Sequence, residues 1–473
     1  MFLPRSRLAV VVLAVVSAAL SACAVGPDYR PPTAAALPLP AAYSSPPAGA
    51  LDDATLQGWW QRFDDPLLVE LVARATGYNR DVEAASARLR AARAALRGSR
   101  GSLWPTLDAS LNANTTDVSD ARPGGAESWQ AGFDAGWEID LFGGTRRSVE
   151  AARADLGAAE ASLADVRNSI VAEVALNYIE ARSAQARIRV ARDNLVYQDE
   201  TLQIAEWRHQ AGLVSAQDVD QATVQRSQTA AAVPQLRATY AAAANRLAVL
   251  SGQASGEVTT RLDVPSTIPV GPDDVAAGVP AELLRRRPDL VAAERAVAAE
   301  VARIGVAQAQ LYPALRLGGS IGSAATSFGD VGSVLTTTLG GALAAPLFQG
   351  GQLRAQVEGR RASADVALAN YEGAVLGAVE EVENALTAMA TAKERETALA
   401  VAEQAAERSA VLARVRYQSG LADFESLLEA NRSLLTTQES RLTARAAHAS
   451  AVVQLFKALG GGWPSQADTT TRQ

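Results

Sequence analysis

The sequence predicts a mixed fold, a membrane β-barrel joined to a long α-helical coiled-coil barrel, built from an internally duplicated chain with four strands per protomer. Three observations predict it. From Trp129 to Leu141, the apolar residues Trp129, Ala131, Phe133, Ala135, Trp137, Ile139 and Leu141 alternate without a break with Gln130, Gly132, Asp134, Gly136, Glu138 and Asp140. Most of the chain repeats at one constant offset, and two very long helical runs lack any internal proline. Strict period two means a β-strand whose faces meet different surroundings. Lipid outside and water inside satisfy both faces, and a transmembrane strand needs about 9 to 11 such residues. A half-buried strand of a soluble sandwich would alternate in the same way. The repeat and the helices decide between the two.

The chain has 473 residues, 48% hydrophobic and only 5% aromatic, with net charge −7. That balance gives no basic footprint, so nucleic acid is not an expected partner. Arg5 and Arg7 precede the apolar run Leu8 to Leu20, which is too short to span a bilayer and reads as a signal peptide over residues 1–22. It closes as Leu20-Ser21-Ala22-Cys23, which resembles the lipobox of a bacterial lipoprotein signal and makes Cys23 the lipidation site. An ordinary signal peptide with an incidental cysteine is the plainer alternative. Ala24 resembles the outer-membrane sorting pattern, and acyl chains contribute about 0.8 kcal/mol per buried methylene. Cys23 is the single cysteine, so no intramolecular disulfide forms.

Residues 23–64 read as a lipidated tether and plug. Proline crowds its first half, and Trp59, Trp60 and Phe63 precede Asp65-Pro66, a helix N-cap and first-turn proline. Those aromatics are expected to pack on the next helix. The first repeat covers 65–252, a linker and equatorial segment 253–286, the second repeat 287–460 and a tail 461–473. Asp81-Val82 recurs as Asp289-Leu290, Leu103-Trp104-Pro105 as Leu311-Tyr312-Pro313, and Arg208-x-Gln210-x-Gly212-Leu213 as Arg416-x-Gln418-x-Gly420-Leu421.

Each repeat reads as a helix, a strand pair, a very long helix and a shorter helix. First helices are expected at about Pro66–Gly98 and Pro288–Gln310, each stopping before a proline. Strand pairs follow within 106–141 and 314–347: Thr106–Val118 with Trp129–Leu141, and Ala314–Ser327 with Ser333–Leu347. The long helices run from about Arg146 to His209 and from Leu353 to Gln418, each roughly 90 to 100 Å at 1.5 Å per residue. Val375, Val379, Val382, Leu386 and Met389 step by fours and threes, a coiled-coil seam.

Four strands cannot close alone, since the smallest closed barrels need about eight and open edges cannot face lipid. Oligomerisation is therefore required, and three copies give a barrel of about twelve strands. Asp134, Glu138 and Asp140 would line its water-filled lumen.

The duplicated layout, the lipobox with Val25-Gly26-Pro27-Asp28-Tyr29, the Trp59-Trp60 segment, Leu284-Arg285-Arg286-Arg287-Pro288-Asp289-Leu290 and Tyr417-x-x-Gly420 resemble the TolC-like outer-membrane efflux factors. The lipoprotein branch, similar to OprM and NodT, fits best, over essentially the whole mature chain. The resemblance implies a homotrimer with its β-barrel in outer-membrane lipid and an α-barrel crossing the periplasm. It also implies two partners, a periplasmic adaptor (membrane fusion) protein and an inner-membrane transporter of the RND type. The function implied is a passive, gated exit duct for small molecules. The same duct serving type I protein secretion, or a lipid-anchored structural coiled coil without a pore, are the rival readings.

No catalytic, cofactor-binding, phosphate-loop or metal-spacing motif stands out, and His209 and His448 read as surface or packing residues. The control point is expected where each long helix turns back, at Gly212-Leu213 and Gly420-Leu421, where glycine permits the reversal. The adaptor would dock on these turns. After the second turn Phe424, Leu428 and Leu435 share one helical face, and Glu425, Glu429 and Arg432 share another. The resemblance places Glu425, Glu429 and Arg432 at the periplasmic aperture and makes Asp218 and Tyr417 members of its locking network. A solvated face with a Glu429–Arg432 pair is the bland alternative. Ala422 and Ser426 depart from the best-known family pattern, which leaves the locking contacts open.

Overall fold

The computed structural model describes residues 24–44, 56–116, 126–272 and 275–461. The signal-peptide and Cys23 readings, and all of the tail beyond residue 461, lie outside these. The helices are α1 (Pro66–Tyr78), α2 (Arg80–Gly101), α3 (Gly144–Gln210), α4 (Ala216–Ser251), α5 (Ser255–Leu262), α6 (Pro280–Arg286), α7 (Pro288–Ala309), α8 (Gln352–Gln418) and α9 (Phe424–Ala458). Four strands, β1 (Thr106–Thr116), β2 (Ala126–Ile139), β3 (Ala314–Ala325) and β4 (Thr336–Ala344), form one antiparallel sheet in the order β1-β2-β3-β4. The chain divides into two compact units, and α3 and α8, of 67 residues each, contribute to both.

The described part of the first unit comprises residues 24–33, 88–116, 126–160 and 292–372, and holds the sheet. Strands β3 and β4 are shorter than the alternating pattern, and β2 starts three residues before it and ends two residues before its close. β2 ends at Ile139, and the Asp140 carboxylate accepts hydrogen bonds from the backbone N–H of Thr145 (3.2 Å) and Arg146 (2.9 Å). Asp140 therefore caps the amino end of α3, whose first amides lack intrahelical partners, instead of extending the lumen face of the strand. β4 spans nine residues, not the fifteen from Ser333 to Leu347, and Pro346 just beyond it has no N–H to give a ladder.

The described part of the second unit comprises residues 34–44, 56–87, 161–272, 275–291 and 373–461. Asp65 caps α1 as its sequence suggests, accepting from the N–H of Leu67 (3.0 Å) and Leu68 (3.2 Å). The single first helix expected over Pro66–Gly98 is two. Asn79 breaks it by accepting from the N–H of Asp81 (2.8 Å) and Val82 (3.2 Å), while its amide donates to Leu250 O (3.0 Å). The plug reading needs extension as well as support: buried Trp59 and Phe63 reach α1, but Trp59 also stacks flat on Phe456 of α9, with centroids 5.3 Å apart. His448 is buried on α9 and its Nδ1 lies 3.0 Å from a Glu396 carboxylate oxygen, so it is a packing residue rather than a surface one.

Among the described residues of this unit the buried arginines are hydrogen-bonded. Arg287 holds Asp289 (2.7 Å), Glu381 (2.6 Å) and the Ala458 carbonyl (3.2 Å), and Arg182 donates to Tyr178 Oη and to the carbonyls of Leu262 and Val264. Leaving either guanidinium without partners would cost several kcal/mol.

Candidate functional site

The sheet sorts its residues by face. The register sets Phe133 opposite Ile321, Trp137 opposite Leu317, and Leu315 opposite Leu343, so these side chains share a surface with Leu107, Leu111 and Leu339. Leu107, Leu111, Phe133, Trp137, Leu317, Ile321, Leu339 and Leu343 are all exposed. A contiguous apolar face of that kind marks contact with lipid or protein. The other face carries Asp108 opposite Asp134, Ser110 Oγ donating to Asp134 (3.4 Å), and Arg316 paired with Glu138 at 3.0 Å. Among the described residues, β1 and β4 each keep one unpaired edge. Water on the polar face, lipid on the apolar face and further strands at both edges satisfy all three surfaces together.

The helix tips are built by the same local chemistry in both repeats. Leu213 N–H donates to Arg208 O and Leu421 N–H to Arg416 O, each at 2.8 Å, while Gly212 and Gly420 take φ of +74° and +72°. This six-to-one bond over a left-handed glycine is a Schellman closure, which satisfies the last helical carbonyls. It leaves Leu213 73% and Leu421 78% exposed at the outermost point of each turn.

Behind the turns lies a small apolar cluster of Ala205, Ala222, Tyr417, Phe424, Leu427 and Leu428. Tyr417 is its centre: the ring meets Phe424 edge-on at 5.7 Å, and the Arg208 guanidinium lies over it at 4.2 Å while donating to Tyr417 O at 2.9 Å. Among the described residues the buried Tyr417 hydroxyl has no hydrogen-bond partner. Leaving a buried hydroxyl in that state costs about 1 to 3 kcal/mol. Arg208 was visible in the sequence only as half of a repeated motif. Its stacking on Tyr417 pairs residues from different repeats, which no local pattern reveals.

The other expected aperture residues fall into two groups. Glu425, Glu429 and Arg432 are exposed on α9, as their spacing from buried Phe424 and Leu428 requires. Arg432 does not pair with Glu429; its Nε donates to Gln225 Oε1 of α4 at 2.7 Å. Asp218 accepts from Ser215 N–H at 3.1 Å and so closes the start of α4. Asp423 does the same for α9 with Ser426 N–H (2.9 Å), and the Ser426 hydroxyl and N–H hold the Asp423 carboxyl below the usual carboxylate range. Ser426 thus has a structural task here.

The chain that carries this sheet and these helical turns matches a known family model over both repeats. The Outer membrane efflux protein family covers residues 71–253 and 279–461, one segment for each repeat. The chain belongs to that family.

Relatives agree over nearly the full length. Nodulation protein T of Rhizobium leguminosarum bv. trifolii is 33% identical over 94% of this chain and 95% of its own. The pyoverdine export outer membrane protein OpmQ of Pseudomonas aeruginosa is 31% identical over 96% and 97%. Among solved structures, the outer-membrane channel OprN superposes with TM-score 0.83 at 36% identity, covering 93% of this chain and all of that one. The open state of the Neisseria gonorrhoeae MtrE channel gives 0.81 at 26% identity, covering 93% and 98%. This efflux protein is accordingly an outer-membrane channel with the TolC-like fold, a β-barrel contribution of four strands per protomer and a helical tunnel.

Proposed function

We propose that this efflux protein works as a homotrimer, the passive exit duct of a tripartite pump for small molecules, with its gate at the helix tips. The observation that carries the trimer is the sheet: four strands, an apolar outer face and two unpaired edges. Three copies supply about twelve strands, enough to close a barrel and remove every edge from lipid. Asp134 and Glu138 then line the water-filled lumen, and Asp140 marks its lower end where strand gives way to helix. Lipid attached to Cys23 would add a second anchor in the same membrane.

The gate reading rests on the tips. Glu425 and Glu429, exposed on α9, form carboxylate rings when three copies meet around an axis, which favours cations and resists closure unless paired. The Gln225 contact of Arg432 and the capping role of Asp218 keep α4 and α9 in register beside that ring. The orphan hydroxyl of Tyr417 supports a partner supplied by a neighbouring copy. Opening is a small sliding of packed helices, a shear motion, when an adaptor docks on Gly212-Leu213 and Gly420-Leu421. An inner-membrane transporter of the RND type supplies the energy, since the duct itself has only geometry and charge to offer.

Export in cells lacking their own outer-membrane channel tests this. Restoring the protein should lower accumulation of a fluorescent efflux substrate, and Leu213→Glu with Leu421→Glu should abolish that while trimers persist. Loss of the trimer in the double variant, or unimpaired export, would remove the tips from the docking role.

A further inference from the structure

The first unit carries two grooves on opposite faces of the α7–α8 pair. One is lined by Arg303, Val306, Gln310, Gln356 and Arg360 among others. Val306 and Gln310 also border a hollow that contains Glu138 and Arg316, residues of the polar face of the sheet, and Tyr312, its ring stacked on Phe142 at 4.6 Å, reaches the margin of the same hollow. That groove belongs to the water-filled side. The second, about 510 Å³, is lined by Gln308, Leu311, Tyr312, Arg354, Val357, Glu358 and Arg361. At 100° per residue, Gln308 sits about half a turn around α7 from Val306, and Arg354, Glu358 and Arg361 sit about half a turn around α8 from Gln356 and Arg360. The second groove therefore opens to the outside, on the side where Gly26 packs so closely on Gly305 that a Cβ there would lie 2.5 Å from its Cα.

Its level is set by the chain. α7 runs into β3 through Leu311 and Tyr312, and β4 runs into α8 through Leu347 and Phe348, which are 95% and 88% exposed. The groove thus starts at the inner rim of the lipid-facing sheet, where aromatic and long basic side chains belong. Side chains of α8 lean toward its amino end, so Arg354, Glu358 and Arg361 all tilt toward the membrane. Among the described residues none of these three has an ion-pair partner, although other arginines on the same pair of helices, Arg303 and Arg360, do. Two free guanidiniums flank one free carboxylate on a single helical face.

We propose that this groove binds the phosphoethanolamine headgroup of a phospholipid in the periplasmic leaflet. Arg354 and Arg361 hold the phosphate, for which guanidinium offers paired donors and the positive end of α8 adds a favourable field. Glu358, between them, accepts from the ammonium, and Leu311, Tyr312, Leu347 and Phe348 receive the glycerol and upper acyl chains. A phosphoglycerol headgroup offers Glu358 no cation, and choline offers a cation without N–H donors. The inference rests on the placement of the sheet in the membrane, which correct insertion of the reconstituted protein verifies separately.

The test uses full-length protein in phosphatidylcholine bilayers with trace spin-labelled phosphatidylethanolamine, phosphatidylglycerol or phosphatidylcholine, reading the fraction of motionally restricted lipid. Phosphatidylethanolamine should be retained severalfold over both others. Glu358→Gln should erase its advantage over phosphatidylcholine. Arg354→Gln with Arg361→Gln should reduce retention of all three, and the corresponding Lys pair should restore most of it. Excess inorganic phosphate should not displace the lipid. Equal retention of the three lipids, preference for phosphatidylglycerol, indifference to these substitutions in inserted protein, or displacement by inorganic phosphate would each overturn the proposal.

Discussion

The two helix tips of this efflux protein share one backbone and differ in what fastens it. Each closes with the same 2.8 Å bond over a glycine in the left-handed region. Yet the residue that follows the shared arginine is the exposed His209 in the first tip and the buried Tyr417 in the second. Duplication has therefore preserved the turn, which only local chemistry dictates, and let the packing behind it diverge. Arg208 of the first tip lies over the Tyr417 ring of the second, whereas Arg416 is exposed. The second tip is the fixed point, and the first is tied to it.

The largest effect expected from that asymmetry is at Tyr417. Replacing this buried ring with alanine should cost about 3 to 5 kcal/mol, while His209→Ala should change stability by less than about 0.5 kcal/mol. Denaturant unfolding of the two variants compares them directly, and similar costs would erase the distinction between the tips. Next comes the pair of arginines. Arg208→Ala removes a cation–π contact and a hydrogen bond, about 1 to 2 kcal/mol together, which hydrogen exchange should register as faster opening around Tyr417. Arg416→Ala should leave those amides unchanged.

Smaller again, and equal at both tips, is the cost of Gly212→Ala and Gly420→Ala. A Cβ at either glycine meets nothing within 4 Å, so only the left-handed backbone resists, by about 1 kcal/mol. Unequal costs would mean that the turns are not local. The mildest difference concerns acid. Because hydrogen bonds from Ser426 lower the Asp423 pKa, the ionised cap is favoured above the usual aspartate value of about 3.9 and is lost as pH falls through the lowered value. Protection of the Ser426 amide should therefore persist through mild acid and fall only below that range.

Much of the fold was legible because its signals are periodic. The strand alternation, the heptad seam and the offset repeat each recur often enough to survive local exceptions, so the four strands and both long helices emerged within a few residues of their ends. The ends themselves were less legible. Asp140 continues the alternation of β2 perfectly in sequence, but it caps α3, because the amides of Thr145 and Arg146 compete for its carboxylate. Asn79 divides the first helix by the same kind of competition. At the tips, spacing correctly separated the buried Phe424 and Leu428 from the exposed Glu425 and Glu429. The partner of Arg432 was not legible, since Gln225 lies on another helix and i, i+3 spacing suggested Glu429 instead.

The central claim, a water-filled pore controlled at the tips, is tested most directly by single-channel conductance of the purified protein in a planar bilayer. The wild type should show a small, cation-selective conductance, and the variant carrying Glu425→Ala, Glu429→Ala and Arg432→Ala should show a clearly larger one with weaker selectivity. Inserted wild-type and variant pores of equal conductance and selectivity would contradict the placement of the gate, and the absence of any conductance from inserted protein would contradict the duct itself.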